Sequence, residues 1–247
     1  MNRVEQWTPA MTVDRIAALR REAAVWFDLP EAELALKIAA SVREDGIWNW
    51  LDWARQEWQF GWPQDVAAKS AAFGIDSVLD FGCGVGEVAL HLNAQLDVEV
   101  RFVDLPGNAR EFLAWRIGRR LSSTLSRPIS PDELFALPKA ETYDAVLCLE
   151  VMEHIPDAPE VLRRLMARAA KAFCITGVNG RLEDDQDPLH VYRESLLPVF
   201  EEEGWKLASG GGMPWWFVRP GFAEERGIEL ITSDGRPAGK EVPGNGD

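Results

Sequence analysis

Apolar positions along the chain follow two rhythms, and the change between them falls near residue 75. Before it, apolar residues return every three or four positions through "TVDRIAALRREAAVWF", "PEAELALKIAASVRE", "IWNWLDWARQEW" and "WPQDVAAKSAAF". This spacing predicts four short helices between residues 11 and 73, with Pro30 at a helix start. Residues 1–74 therefore read as an N-terminal helical cap. Beyond it, short apolar runs near 77–81, 98–103, 143–149 and 172–176 read as strands. They alternate with amphipathic stretches near 86–95, 107–121, 158–170 and 193–203, which read as helices. Such alternation predicts an α/β domain over 75–220, doubly wound, with a mostly parallel sheet covered on both faces. "WKLASGG" and "WWFVRP" follow as two further strands. The glycine-rich turn at 210–212 leaves no room for a crossover helix between them, so an antiparallel pair must end the sheet. Residues 221–247 are polar and rich in Gly and Pro, and read as a partly disordered tail in which the last dozen residues are disordered.

Composition narrows the function classes. The 247 residues are 47% hydrophobic, enough for a substantial core. The absence of a long apolar run or of a signal-peptide middle segment predicts a cytoplasmic protein without membrane association. The formal net charge of -14 opposes a broad phosphate-tracking surface and hence a nucleic-acid partner. "WRIGRR" at 115–120 is the one local basic cluster of note, and it reads as a solvated helix face or C-terminal turn. Cys83, Cys148 and Cys174 have neither CxxC nor zinc-ligand spacing and read as reduced, mostly buried thiols.

Chemistry concentrates in "VLDFGCGVGEV", residues 78–88, where an apolar strand runs into an acid and three glycines at alternate positions. Gly82, Gly84 and Gly86 lack a Cβ and accept positive φ, so the backbone can turn sharply and lie against a ligand. A helix starting near Gly86 adds N–H groups and the positive end of its dipole. One strand later, "VEVRFVD" ends in Asp104, placed to receive the two hydroxyls of a ribose. Together they imply a nucleoside-containing cofactor. A dinucleotide fingerprint beginning at Gly82 fails at its third position, Glu87. Beginning at Gly84 it gives Gly84, Gly86 and Ala89, which keeps an NAD(P)-dependent oxidoreductase as an alternative.

From about 74 to 220 the chain resembles the class I, seven-stranded S-adenosylmethionine-dependent methyltransferases. Their first motif stands as Asp80, Gly82, Gly84 and Gly86, their second acid as Asp104, and "YDAVLCLEVMEHIPDAPEVLRRL" is similar to their fourth strand and its continuation. "DPLHVYRESLLPVFEEEGW" is similar to the stretch before their last strands. The resemblance implies a seven-stranded sheet with an antiparallel last strand and S-adenosylmethionine as cofactor. It also puts Asp80 near the cofactor's amino group, Asp104 on its ribose and Glu150 in its pocket. The third strand departs from the pattern, with only a short extended piece around 128–130. Asp132, which follows it, is a candidate for the adenine amino group and equally for a helix first turn.

Methyl transfer from a sulfonium is an in-line displacement that needs alignment more than a protein nucleophile. A hydroxyl acceptor gains from a general base, and the chain has three histidines. His91, in the first helix after the glycine turn, reads as structural. His190 and His154 follow strands at the ligand-bearing edge. His190 is the candidate base, and His154 lines or braces the pocket. Glu150, Glu153, His154 and His190 also resemble the metal-binding segment of small-RNA terminal 2'-O-methyltransferases. The companion asparagine segment is absent, however, so no metal is expected. Seven of eleven tryptophans lie before residue 63. Ile47, Trp50, Leu51, Ala54 and Trp58 share a helix face, while Trp48 and Trp53 lie off it and can floor an acceptor pocket. Where methyltransferases acting on base or amide nitrogen carry a proline-aromatic quartet, this chain has "LEVMEH". The expectation is O-methylation of a small molecule, with a methyltransferase-like binding protein and a metal-dependent RNA enzyme as further alternatives.

Overall fold

A computed structural model describes residues 9–40, 47–179, 190–209, 214–233 and 238. Four helices come first: α1 (Pro9–Phe27), α2 (Glu31–Ala40), α3 (Ile47–Phe60) and α4 (Trp62–Phe73). Then strands and helices alternate through β1 (Ser77–Phe81), α5 (Glu87–Leu96), β2 (Glu99–Val103), α6 (Asn108–Gly118), α7 (Pro131–Ala136) and β3 (Tyr143–Cys148). After a short 3-10 turn at Met152–His154 come α8 (Ala158–Met166), β4 (Ala169–Ile175), α9 (Leu197–Glu202), β5 (Lys206–Ser209), β6 (Trp215–Val218) and α10 (Pro220–Arg226).

The strands form one sheet in the order β2-β1-β3-β4-β6-β5. β2, β1, β3 and β4 are parallel, and β6 runs antiparallel between β4 and β5. From β1 the chain moves first to β2 on one side and later to β3 on the other, so the order reverses at β1, where open α/β sheets bind ligands. Consecutive strand residues alternate between two cores. Ala145, Leu147, Ala172, Cys174 and Trp216 join the face covered by α4 and α5, while Val146, Cys148, Phe173, Ile175 and Phe217 join the face covered by α8 and α9. This is the period of two expected of a sheet buried on both sides. The first three helices make a separate apolar cluster through Leu19, Ala23, Leu34, Leu51 and Ala54. It is completed by Val85 of the glycine turn and by Ala109 and Phe112 of α6.

The seven-strand expectation is met by six strands and a remnant. Residues 124–129 lie beside β2, where Leu125 bridges Val100 and Ile129 bridges Val103. Three residue steps on β2 thus face four on the remnant. Pro128, which has no N–H, falls within that mismatch and interrupts the ladder. Boundaries also move. The alanine-rich segment predicted as the end of a helix to 170 instead opens β4 at Ala169. Arg168, just before it, is buried and donates to the carbonyls of Leu134, Leu137, Pro138 and Glu141, closing the end of α7. α6 ends at Gly118 rather than 121, and α9 starts at Leu197 rather than 193, with Pro198 in its first turn. The tail contributes an unpredicted helix, α10, and Phe222, Ala223, Ile228 and Leu230 pack on the core. Residues 239–247 and the 210–212 turn lie outside the described residues.

"WRIGRR" is not a solvated basic face. Arg116 is buried and ion-paired to Glu87, the first residue of α5, and to Glu22 of α1 at 2.6 Å. Trp58 of α3 donates its indole N–H to Glu87 Oε2 at 2.6 Å. Arg120 reaches the same Glu22 at 3.4 Å, and Arg119 lies over the Trp115 ring. One buried cation therefore joins α1, α5 and α6, and through Glu87 it is tied to α3. Replacing Arg116 by Ala leaves Glu87 charged and dry, and should lower unfolding free energy by about 3–5 kcal/mol. Combining Arg116→Ala with Glu87→Gln should recover part of the loss in denaturant titrations, whereas additive losses would show that the pair is not coupled.

Candidate active site

Parallel strands end together, and their carboxyl edge collects most of the candidate residues. Asp80 stands opposite Phe102 and Leu147, so the ends of β1, β2 and β3 are level. Gly82, Gly84 and Gly86 all adopt positive φ. At Gly82 a Cβ would collide with Val151, and at Gly86 with Leu113, so the turn is pressed against both the loop after β3 and α6. The turn is held by N–H donation from Gly82 and Cys83 to Val103 O and from Gly86 to Cys83 O. Burial pushes the Cys83 thiol well above its usual range, with Asp80 and Asp104 adding to the effect, which disfavours its thiolate.

Asp104 follows β2. Its Oδ2 accepts from Gly84 N–H at 2.5 Å and its Oδ1 from Leu105 N–H at 2.7 Å. The glycine turn and the second acid are thus bonded to each other across 20 residues, and the carboxylate is aimed before any ligand arrives. Burial raises the Asp104 carboxyl, while these N–H groups and Arg110 pull it back. Asp80 has no such relief. Burial, then the nearby charge of Asp104, push it from 3.8 up to about 8. Asp132 is exposed in the first turn of α7, immediately after the remnant strand. The capping bonds there are made by Ser130 and Glu133 instead.

The loop after β3 supplies the second group. Glu150 takes φ +53°, a left-handed conformation uncommon for a residue with a side chain, and its N–H donates to Thr176 Oγ1 at 2.6 Å at the end of β4. Glu153 is buried, and its carbonyl accepts from Val191 and Tyr192 N–H, which ties the 3-10 turn to the segment after His190. His154 and His190 have ring centroids 4.9 Å apart. One ligand atom each from Glu153, His154 and His190 lie within 4.8 Å of one another, and Glu150 does not belong to that group. Gly177, at φ +68°, turns the chain as it leaves β4 beside Glu153. Of the four residues read together from the sequence, Glu153, His154 and His190 bring their ligand atoms together.

His91 is buried on α5 against the Trp58 ring, and burial, aided by Arg15, lowers it to about 4. The side chains of Trp7, Trp48, Trp50 and Trp53 lie outside those described, as do the acids of "RLEDDQD". Trp58 and Trp62 are core residues. Sequence reasoning passed over one acid, Glu57 on α3, on which Asp80, Glu87 and Glu150 all act. Its only signal was a place on the cap helix next to Trp58.

The raised Asp80 carboxyl makes stability pH-dependent. Its folded value exceeds its unfolded one, so its contribution is complete below 3.8 and is lost as pH rises through about 8. Asp80→Asn should therefore melt above the parent protein at pH 8–9, with the gap closing toward pH 4. A gap independent of pH would mean that Asp80 is ionised throughout.

A family profile described as a methyltransferase domain matches residues 14–218. The ubiquinone biosynthesis O-methyltransferase of Psychrobacter cryohalolentis is 29% identical over 115 residues, 45% of this chain and 44% of that protein. The protein of the same name from Bordetella avium is 33% identical over 106 residues, 43% of this chain and 42% of its own. The matched stretch spans less than half the length of these relatives. Among solved structures, magnesium protoporphyrin IX methyltransferase from Synechocystis PCC 6803 with bound SAH aligns with TM-score 0.52 and 18% identity, over 75% of this chain and 94% of that one. A putative sarcosine dimethylglycine methyltransferase from Galdieria sulphuraria aligns with TM-score 0.51 and 15% identity, over 62% and 64%. No helix among the described residues is long and apolar enough to cross a membrane. With a profile match over most of its length and the glycine turn at the reversal of its sheet, the chain belongs to the methyltransferase-domain family, in the class I S-adenosylmethionine-dependent fold.

Proposed function

We propose that this protein is an S-adenosylmethionine-dependent methyltransferase that methylates an oxygen of a small molecule. The observation that carries the reading is the meeting of Glu153, His154 and His190 within 4.8 Å at the same sheet edge as the glycine turn and Asp104. The names of the ubiquinone biosynthesis relatives agree with an oxygen acceptor. The residues suit the cofactor. Gly82, Gly84 and Gly86 at positive φ keep side chains out of the turn, Asp104, held by two N–H groups, would receive the ribose hydroxyls, and Asp80 brings a buried carboxyl that a cationic group would ionise. Asp132 is the proposed contact for the adenine, at the end of the remnant strand, and Glu150 lines the pocket between them.

When bound, S-adenosylmethionine supplies an electrophilic methyl group on a good leaving group. The chain's own work is then alignment, exclusion of water and removal of one proton. His190, buried beside Glu153, takes the proton of the acceptor hydroxyl on an imidazole nitrogen, and the exposed His154 borders the approach. The helices before β1 cover the acceptor. A second reading is favoured by the same geometry: a divalent ion on Glu153, His154 and His190 can lower the hydroxyl's pKa instead.

Three measurements test this. Asp104→Ala should weaken cofactor binding by about 2–4 kcal/mol in calorimetry, because two hydroxyls lose a charged acceptor. NADH binding without affinity for the sulfonium cofactor would return the oxidoreductase alternative. His190→Ala should lower turnover about 100-fold or more at unchanged cofactor affinity. Activity that survives exhaustive chelation, in protein without stoichiometric metal, supports the base. Loss restored by Mn²⁺ supports the ion.

A further inference from the structure

Arg116 does more than neutralise Glu87. Its Nη1 donates to the carbonyl of Val85, the residue between Gly84 and Gly86, and its Nη2 reaches Glu87 directly after them. Its Nε donates to Glu22 Oε2 of α1 at 2.6 Å, and its central carbon lies over the Phe112 ring, 5.5 Å from the centroid. Trp26, one turn after Glu22, meets that same Phe112 ring at 5.3 Å, one turn before Arg116. Glu22 Oε1 also accepts from Arg120, one turn after Arg116, at 3.4 Å. α1 thus runs along α6 in the opposite direction, and at Arg116 that contact passes on to the glycine turn.

The peptide unit between Val85 and Gly86 is gripped at both ends. Its carbonyl accepts from Arg116, and its N–H donates to Cys83 O at 2.8 Å. Gly84 and Gly86, on either side of Val85, sit at φ +53° and +80°, and glycine is as free at negative φ as at positive, so these residues do not hold the turn by themselves. Gly84 N–H is also the donor to Asp104 Oδ2, so the shape of the turn and the aim of Asp104 vary together. A guanidinium is planar, and its N–H directions are fixed relative to one another. Fixing Nε on Glu22 therefore fixes where Nη1 and Nη2 point. Without Glu22 the plane is free to tilt, and the holds on Val85 O and Glu87 loosen together.

We propose that Glu22 of the cap is a positioning residue for cofactor binding: by orienting the Arg116 fork it presets the Val85–Gly86 peptide in its ligand-ready form, so cofactor affinity depends on the cap being docked. This rests on the glycine turn being the cofactor site. A turn set before the ligand arrives is spared the ordering cost of binding. The setting is one of backbone shape and not of charge, so it serves the sulfonium cofactor and its thioether product alike. By linkage, a bound ligand favours the docked α1 by the same factor as docked α1 favours the ligand.

The test is calorimetric titration of the full chain with S-adenosylmethionine and, separately, S-adenosylhomocysteine, at a temperature where circular dichroism shows every variant folded. Glu22→Ala should weaken both ligands to the same extent, about tenfold. Glu22→Gln, which keeps an acceptor oxygen at the same reach, should fall between Glu22→Ala and the parent. Arg116→Lys keeps the charge but not the fork, and the double variant with Glu22→Ala should lose less affinity than the two single losses combined. Val199→Ala, a truncation on α9 in the opposite core, should lower the melting temperature and leave both affinities unchanged. Hydrogen exchange should show the α1 amides slowed by S-adenosylhomocysteine in the parent, and less so in Glu22→Ala. A loss confined to the sulfonium ligand would put the Glu22 charge against the cofactor itself and overturn the proposal, as would unchanged affinities or an equal loss in Val199→Ala. Failure of the parent protein to bind either ligand would instead remove the cofactor-site reading beneath it.

Discussion

A single buried guanidinium sets the position of the glycine turn. Arg116 of α6 pairs with Glu87, the residue directly after Gly86, and with Glu22 of α1, while Trp58 of α3 bonds the same Glu87. In a dry environment such a group is stable only when all of its partners arrive, because each missing partner leaves a charge without solvent. Closing the cap and shaping the ligand-bearing turn are therefore one event. Val85, within the turn, joins the apolar cluster of α1, α2 and α3, which adds packing to the ionic tie. A turn usually described as a property of one strand and one helix here depends on residues 94 positions apart.

The same arrangement explains which ligand the edge suits. A glycine turn that receives a pyrophosphate works through N–H groups and surrounding bases. Here the turn lies between Asp80 at the end of β1 and Asp104 after β2, and Glu87, where the third dinucleotide glycine would fall, is occupied by Arg116 and Trp58. Glu87 cannot give way to a pyrophosphate without breaking both of those bonds.

Glycines at alternate positions and an acid one strand later are local signals, so the turn, Asp80, Asp104 and the strands that carry them were legible in the sequence. So was the gathering of Glu153, His154 and His190 at one edge, since parallel strands bring their ends level. What the sequence concealed were facts of distance. Arg116 reads as a surface base until Glu22 and Glu87 surround it. Ala169 and Ala170 read as helix because alanine favours it, but Ala169 pairs with Tyr143 in the sheet. Pro128 shortens a strand that the family pattern leads one to expect in full. Glu57 looks like any helix-surface acid, because one helix's spacing cannot tell which charges from other elements act on it.

The placement of β6 has a consequence for how the chain is assembled. β5 precedes β6 in sequence, yet β6 lies between it and β4, so among the named strands β5 pairs with β6 alone, and Ile231 N–H donates to Leu207 O from beyond α10. As the chain emerges from N- to C-terminus, β5 must wait unpaired while β4 presents an open edge to solvent. That edge carries Phe173 and Ile175, and it closes only when Trp215, Trp216, Phe217 and Val218 arrive to bridge both neighbours. Until then the nascent protein exposes a strand edge of the kind that pairs with foreign strands. The last-made strand is therefore the one that closes the open edge of β4.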